Sequence, residues 1–134
     1  MTEPKRALAA CSCGRLTAEV RGDPVRISIC HCLACQRRTG SVFGEQARYP
    51  RDQVTVSGHS TAWHRPGDEG GGANFHFCPI CGATVYYELV DYPDFIAIPV
   101  GAFADPGFPT PRVSVYEGRK HAWVVPPPEA EHYS

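Results

Sequence analysis

Apolar and polar residues alternate with period two along much of the chain. Leu16, Ala18 and Val20 are interleaved with Thr17 and Glu19, and Val25, Ile27 and Ile29 with Arg26 and Ser28. This is the signature of strands buried on one face. Gly22-Asp23-Pro24 between them reads as a turn, so the two segments are expected to pair as a hairpin. Further strands are expected over 41–49, 54–56, 62–64, 74–77, 84–89, 94–100 and 113–116, with 122–125 as the last ordered segment. One stretch breaks the pattern: Leu33-Ala34-Cys35-Gln36-Arg37-Arg38 lacks glycine and proline and reads as one or two helical turns stopped by Gly40. Residues 1–10 read as a loose lead-in, 65–72 as a mobile hairpin loop and 101–111 as a proline-rich loop. The triplet Pro126-Pro127-Pro128 opens an extended, largely disordered tail. Together these segments predict a mainly β fold of short antiparallel sheets with one short helical turn. It forms a single domain over 1–125 with a tail over 126–134, and lacks the βαβ alternation of a parallel sheet.

Composition agrees with many turns and short strands: 134 residues include 13 glycines and 13 prolines, spread along the chain rather than repeated. No apolar run approaches the roughly 20 residues that span a bilayer, and the N-terminal stretch does not read as a signal peptide. A cytoplasmic protein is therefore expected. The formal net charge is −1, and two zinc ions on seven thiolates would take it to about −4. That balance, without a stripe of Lys and Arg, argues against a nucleic-acid or anionic-membrane partner.

The 7 cysteines change the picture most. In a reducing compartment they argue for metal rather than disulfides, and the odd count would leave one thiol unpaired. They fall into three groups. Cys11-Ser12-Cys13-Gly14 and Cys78-Pro79-Ile80-Cys81-Gly82 have the form of metal knuckles, two thiolates followed by a glycine free to take φ > 0. A metal joining these pairs would close a long loop and add to stability. The third group, Cys30-His31-Cys32-Leu33-Ala34-Cys35, offers three ligands from one tight loop. Three protein ligands and an open fourth position are the arithmetic of a catalytic zinc rather than a structural one. Three thiolates make a weak Lewis acid but a good holder of an exchangeable thiolate, which stays nucleophilic near neutral pH. The helical turn that follows would aim its first amides at this loop. His31, between two ligands, is expected to point away from them as a supporting or exposed group. Arg37 and Arg38 stand close enough to meet a substrate carboxylate, or are simply solvated helix-face charges.

Taken together, Cys11-Ser12-Cys13-Gly14, the run from Cys30 through Arg38 to Gly40, and Phe77-Cys78-Pro79-Ile80-Cys81-Gly82 resemble the glutathione-dependent formaldehyde-activating enzymes. The same zinc-binding domain occurs in proteins related to centromere protein V. The strand Asp94–Gly101 and Trp123 also fit, so the resemblance covers roughly residues 7–125. It implies a β-tent fold tied by zinc, with a structural zinc on Cys11, Cys13, Cys78 and Cys81 and a catalytic zinc on Cys30, Cys32 and Cys35. The implied reaction is reversible addition of glutathione to formaldehyde, giving S-(hydroxymethyl)glutathione, the work of a carbon–sulfur lyase. The expected partners are thus a small glutathione-like thiol and an aldehyde.

Two other readings stand beside this one. A non-catalytic zinc module for a small thiol or a protein would leave the triad empty or merely reactive, and would show an exposed apolar patch. Phe103, Phe108 and Trp123 are candidates for such a patch, or else ordinary core residues. A nucleic-acid-binding zinc ribbon is disfavoured by charge.

Overall fold

The computed structural model describes residues 5–68 and 70–134. The first four residues of the expected lead-in, and Glu69 of the loop expected to be mobile, lie outside the described residues. The fold is mainly β, with one short helix. In chain order the strands are β1 (Arg6–Ala10), β2 (Thr17–Arg21), β3 (Arg26–Cys30), β4 (Gly44–Pro50), β5 (Val54–Ser57), β6 (Thr61–Arg65), β7 (Ala73–Phe77), β8 (Thr84–Leu89), β9 (Phe95–Pro99), β10 (Val113–Val115) and β11 (Glu131–His132). The helix, α1 (Leu33–Thr39), lies between β3 and β4. Among the described residues, no helix is long and apolar enough to cross a membrane.

The strands form two sheets, a three-stranded one in the order β1-β2-β5 and an eight-stranded one in the order β11-β10-β3-β4-β9-β8-β7-β6. Pairing is antiparallel except around β10, which runs parallel to both β3 and β11. The main core gathers residues of both sheets. Leu16, Ala18 and Val20 lie against Ala47, Tyr49, Val85, Ile96 and Ile98, all of them buried. Side chains alternate across a strand, so Ala97 of β9 joins a second cluster with Ala73, Phe75 and Tyr87 instead. Arg38 of α1 lies over two rings of that second cluster, Phe75 and Tyr87.

Four expectations are corrected here. Residues 6–10 are not a loose lead-in. They pair with β2 from Arg6↔Arg21 to Ala10↔Thr17, although three of the five are alanines of weak strand preference. The segments on either side of Gly22-Asp23-Pro24 do not form a hairpin. Both edges of β2 are taken by β1 and β5, and β3 lies between β10 and β4, so the turn carries the chain from one sheet to the other. Residues 122–125 are turn and coil rather than a strand. The C-terminal segment is docked rather than disordered: Ala130 is buried, β11 aligns with Val113 and Ser114 of β10, and the Tyr133 amide donates to the Ser114 carbonyl at 2.8 Å.

Candidate metal centre and adjoining chamber

The ends of the two sheets bring four cysteines together. The chain leaves β1 at Cys11 and turns through Gly14, whose φ is 80° and whose amide donates to the Cys11 carbonyl at 3.0 Å. The Leu16 amide then donates to Cys11 Sγ at 3.2 Å. The turn between β7 and β8 repeats this form. Gly82, at φ 81°, donates to the Cys78 carbonyl at 2.8 Å, while the Ile80 and Cys81 amides face Cys78 Sγ at 3.4 and 3.5 Å. Such inward amides stabilise thiolates. The four sulfurs of Cys11, Cys13, Cys78 and Cys81 lie within 4.8 Å of one another. The Cys11–Cys13 and Cys13–Cys78 separations are 3.7 and 3.6 Å. Zn–S bonds of about 2.3 Å in a tetrahedron require sulfur–sulfur edges of about 3.8 Å, so the donor set fits such an ion. The amides of Ala83 and Cys13 draw the Cys81 thiol down to about 6. At Cys13 the pull of the Arg15 amide is outweighed by burial and the neighbouring sulfurs, which push it up to about 11.

The second cluster is local in sequence. Cys30 ends β3, Cys32 caps α1 and Cys35 lies in its first turn, with the Cys35 amide donating to Cys32 Sγ at 3.3 Å. The three sulfurs also lie within 4.8 Å of one another. Without a cation they cannot all ionise together. Cys32 takes the charge: it accepts from the Cys30 and Cys35 thiols and from the Cys35 amide, and the Arg65 guanidinium adds to this, drawing it down to about 2. Cys30 is pushed far up by donating to Cys32 and Cys35 and by its own burial. A crowded set of three soft sulfur donors suits a divalent ion such as zinc. Among the described residues, no fourth side-chain ligand joins this cluster.

His31 turns away from the sulfurs and is fully buried rather than exposed. Its Nε2 meets Ser114 Oγ at 3.1 Å, and its amide donates to the Val115 carbonyl at 3.1 Å. Burial holds its imidazole below the usual value, against the pull of Glu117. Gln36 Nε2 donates to the His31 and Arg119 carbonyls at 2.9 and 3.1 Å. The cysteine loop is therefore braced from behind by β10 and the turn after it.

Next to the loop, which reaches it through Ala34, lies a chamber of about 470 Å³ between α1 and the β6–β7 hairpin, with Arg37, Arg38, Trp63, Arg65, Phe75 and Phe77 in its lining. Arg37 is exposed, whereas Arg38 lays its guanidinium over Phe75 and Tyr87, with Cζ 4.8 and 5.5 Å from the ring centroids. Arg65 approaches the same Phe75 ring at 5.3 Å. Sequence reasoning gave Arg65, Trp63 and Phe75 no role, and named Phe77 only within the Phe77–Gly82 motif. The available signal was the alternation of Trp63 with Arg65, and of Ala73 with Phe75 and Phe77, which puts them on common faces of paired strands. Of the aromatics considered for a surface patch, Phe103 is buried and stacks with Phe108 at 4.9 Å, whereas Trp123 is 72% exposed.

A sequence profile described as glutathione-dependent formaldehyde-activating enzyme matches residues 6–119. The chain belongs to that family. The match spans both cysteine clusters, β1 to β10 and the turn that follows β10. In structure the family member is similar to a Rhodobacter sphaeroides protein solved by crystallography, with a TM-score of 0.57 and 20% identity over 76% of this chain and 90% of that one. At that identity the likeness concerns the fold alone.

Proposed function

We propose that this family member is a zinc-dependent carbon–sulfur lyase that adds a thiol, such as glutathione, reversibly to formaldehyde or another small aldehyde at Cys30, Cys32 and Cys35. The observation that carries the reading is the division of the sulfurs into a set of four and a set of three, with the set of three beside a chamber. Cys11, Cys13, Cys78 and Cys81 would hold a structural zinc, and the triad a second one. Zinc on three thiolates supplies an open position at which a substrate sulfur can be kept as its thiolate. In the forward direction the thiol sulfur forms a bond to the carbonyl carbon, the C=O π pair moves to oxygen, and the thiol proton ends on that oxygen. The reverse breaks the same C–S bond and returns the proton to sulfur.

The protein's own groups serve this chemistry in definite ways. The Cys35 amide and the Cys32 cap fix the loop, and Ser114 and Gln36 hold His31 and its carbonyl so that the three sulfurs stay together. Arg65 lowers the energy of negative charge at Cys32. Seven free thiols suit a reducing, cytoplasmic setting.

Exchange between formaldehyde and its thiol adduct, followed by NMR magnetisation transfer, tests the proposal. The protein is expected to speed exchange above the uncatalysed rate, and Cys30→Ser, Cys32→Ser and Cys35→Ser to remove that gain with the fold kept. Full activity in such a variant would overturn it. Exposed Trp123 and Val125 favour a second reading, a zinc module that binds a partner without catalysis. No acceleration with any thiol, together with an intact fold and bound metal, would favour that reading.

A further inference from the structure

The chamber has a charge and a polarity of its own. Among the described residues no carboxylate lines it, and neither Arg38 nor Arg65 is engaged in an ion pair. Arg38 Nε and Arg65 Nη1 are buried and meet no acceptor. Both guanidinium groups lean on the Phe75 ring. Two like charges sharing one ring, with donors withdrawn from water and unpaired, form an arrangement that an anion completes. Beyond the arginines and the Thr84 hydroxyl, the lining is aromatic, aliphatic or glycine. It offers no carboxylate to pair with an ammonium group, and few polar groups for peptide amides.

We infer that the chamber is a seat for a small monoanionic carboxylate on an apolar, preferably aromatic, body, with the carboxylate on Arg38 and Arg65 and the body against Trp63, Phe75 and Phe77. As an account of substrate choice this rests on the proposed thiol–aldehyde reaction: one of the two reactants carries that carboxylate, and glutathione, with its ammonium group and two carboxylates, is the poorer fit. Arg65 links the two sites, because its charge acts on Cys32 as well as facing the chamber. Arg38 lines the chamber too, and its guanidinium lies near Cys35. A Cβ built on Gly44 would meet Arg38 Nη2 at 3.2 Å and Cys35 Cβ at 3.3 Å, so a small residue is needed where these two side chains converge.

Binding of 3-phenylpropanoate, which has neither thiol nor aldehyde, tests this directly. The chain has two tryptophans, so Trp123→Phe leaves Trp63 as the reporter. Fluorescence of this zinc-loaded protein is expected to saturate with 3-phenylpropanoate, and to need at least about tenfold more of the neutral 3-phenylpropanamide. Arg65→Met should weaken the acid by about tenfold and leave the amide unchanged. Arg38→Met should do the same if it folds, and unchanged zinc content and amide binding exclude general damage. Equal affinity for acid and amide, or no saturable change up to about 10 mM, would overturn the inference. Exchange activity with glutathione and no carboxylate binding would refute the seat and leave the reaction standing. Carboxylate binding without acceleration for any thiol would refute the reaction and leave the seat.

Discussion

If Cys11, Cys13, Cys78 and Cys81 share a metal ion, replacing Cys78 by serine should destabilise the whole domain rather than one turn. Cys78 is 1% exposed and its sulfur is 3.6 Å from Cys13 Sγ, 65 positions away in sequence. Treated as a cross-link, a loop of that length removes closure entropy worth about 4 kcal/mol from the unfolded chain at 25 °C. Domains of this kind are stable by roughly 5–15 kcal/mol in all, so the loss would be a large part of the total. In urea, with a slope of about 2 kcal/mol per molar, the midpoint should fall by about 2 M. Circular dichroism melts in urea, with zinc and with a chelator, provide the assay. The chelated wild type should move towards the Cys78→Ser variant, since both lack the same cross-link, and chelation should change the variant much less. A midpoint within about 0.5 M of wild type in zinc buffer, or a wild type indifferent to chelator, would refute the reasoning.

Ser114→Ala leaves buried His31 Nε2 without its partner and should cost about 1–3 kcal/mol, seen as a lower melting temperature; an unchanged melt contradicts the bracing role. Leu16, at 0% exposure among residues of both sheets, should cost about 2–5 kcal/mol when replaced by alanine, and a urea midpoint equal to wild type would place the core elsewhere. The docking of β11 should depend on pH through His132 and Glu117, whose Nδ1 and Oε2 are 2.6 Å apart. Glu117 raises the His132 value, so that contribution is complete below the ordinary imidazole range and fades as pH rises through the raised value. Ser114 and His132 lower the Glu117 value, so its contribution is complete above the ordinary carboxylate range and fades on acidification. Hydrogen-exchange protection of the Tyr133 amide, corrected for intrinsic rates, should therefore peak in mildly acidic solution and decline on either side. Protection that stays flat from pH 4 to 9 would show that the pair does not hold the strand.

The parts of the molecule that the sequence revealed are those with local causes. Cysteine spacing limits which sulfurs can meet, so Cys30, Cys32 and Cys35 stand apart from the two knuckles before any tertiary contact is known. Period-two alternation placed most strands near their observed positions, and Gly40, at φ 72°, stops α1 where expected. The misread segments depend on distant partners. Ala7, Ala9 and Ala10 carry little strand preference and become a strand only because β2 offers an edge. The Gly22-Asp23-Pro24 turn suits a hairpin locally, but β5 and β4 compete successfully for the neighbouring edges. Prolines suggested an unstructured tail, yet the two residues of β11 find the free edge of β10. The chamber was hidden for the same reason: Arg38 and Arg65 both reach the Phe75 ring only after α1 and the β6–β7 hairpin come together.

Zinc per chain, measured in protein purified under reducing conditions and again in Cys32→Ser, tests the central claim most directly. The account predicts about two ions in the wild type and about one in the variant, with the β-rich circular dichroism spectrum kept. About one ion in both proteins would contradict it, because the three-cysteine loop would then hold no metal and the proposed reaction would lose its site.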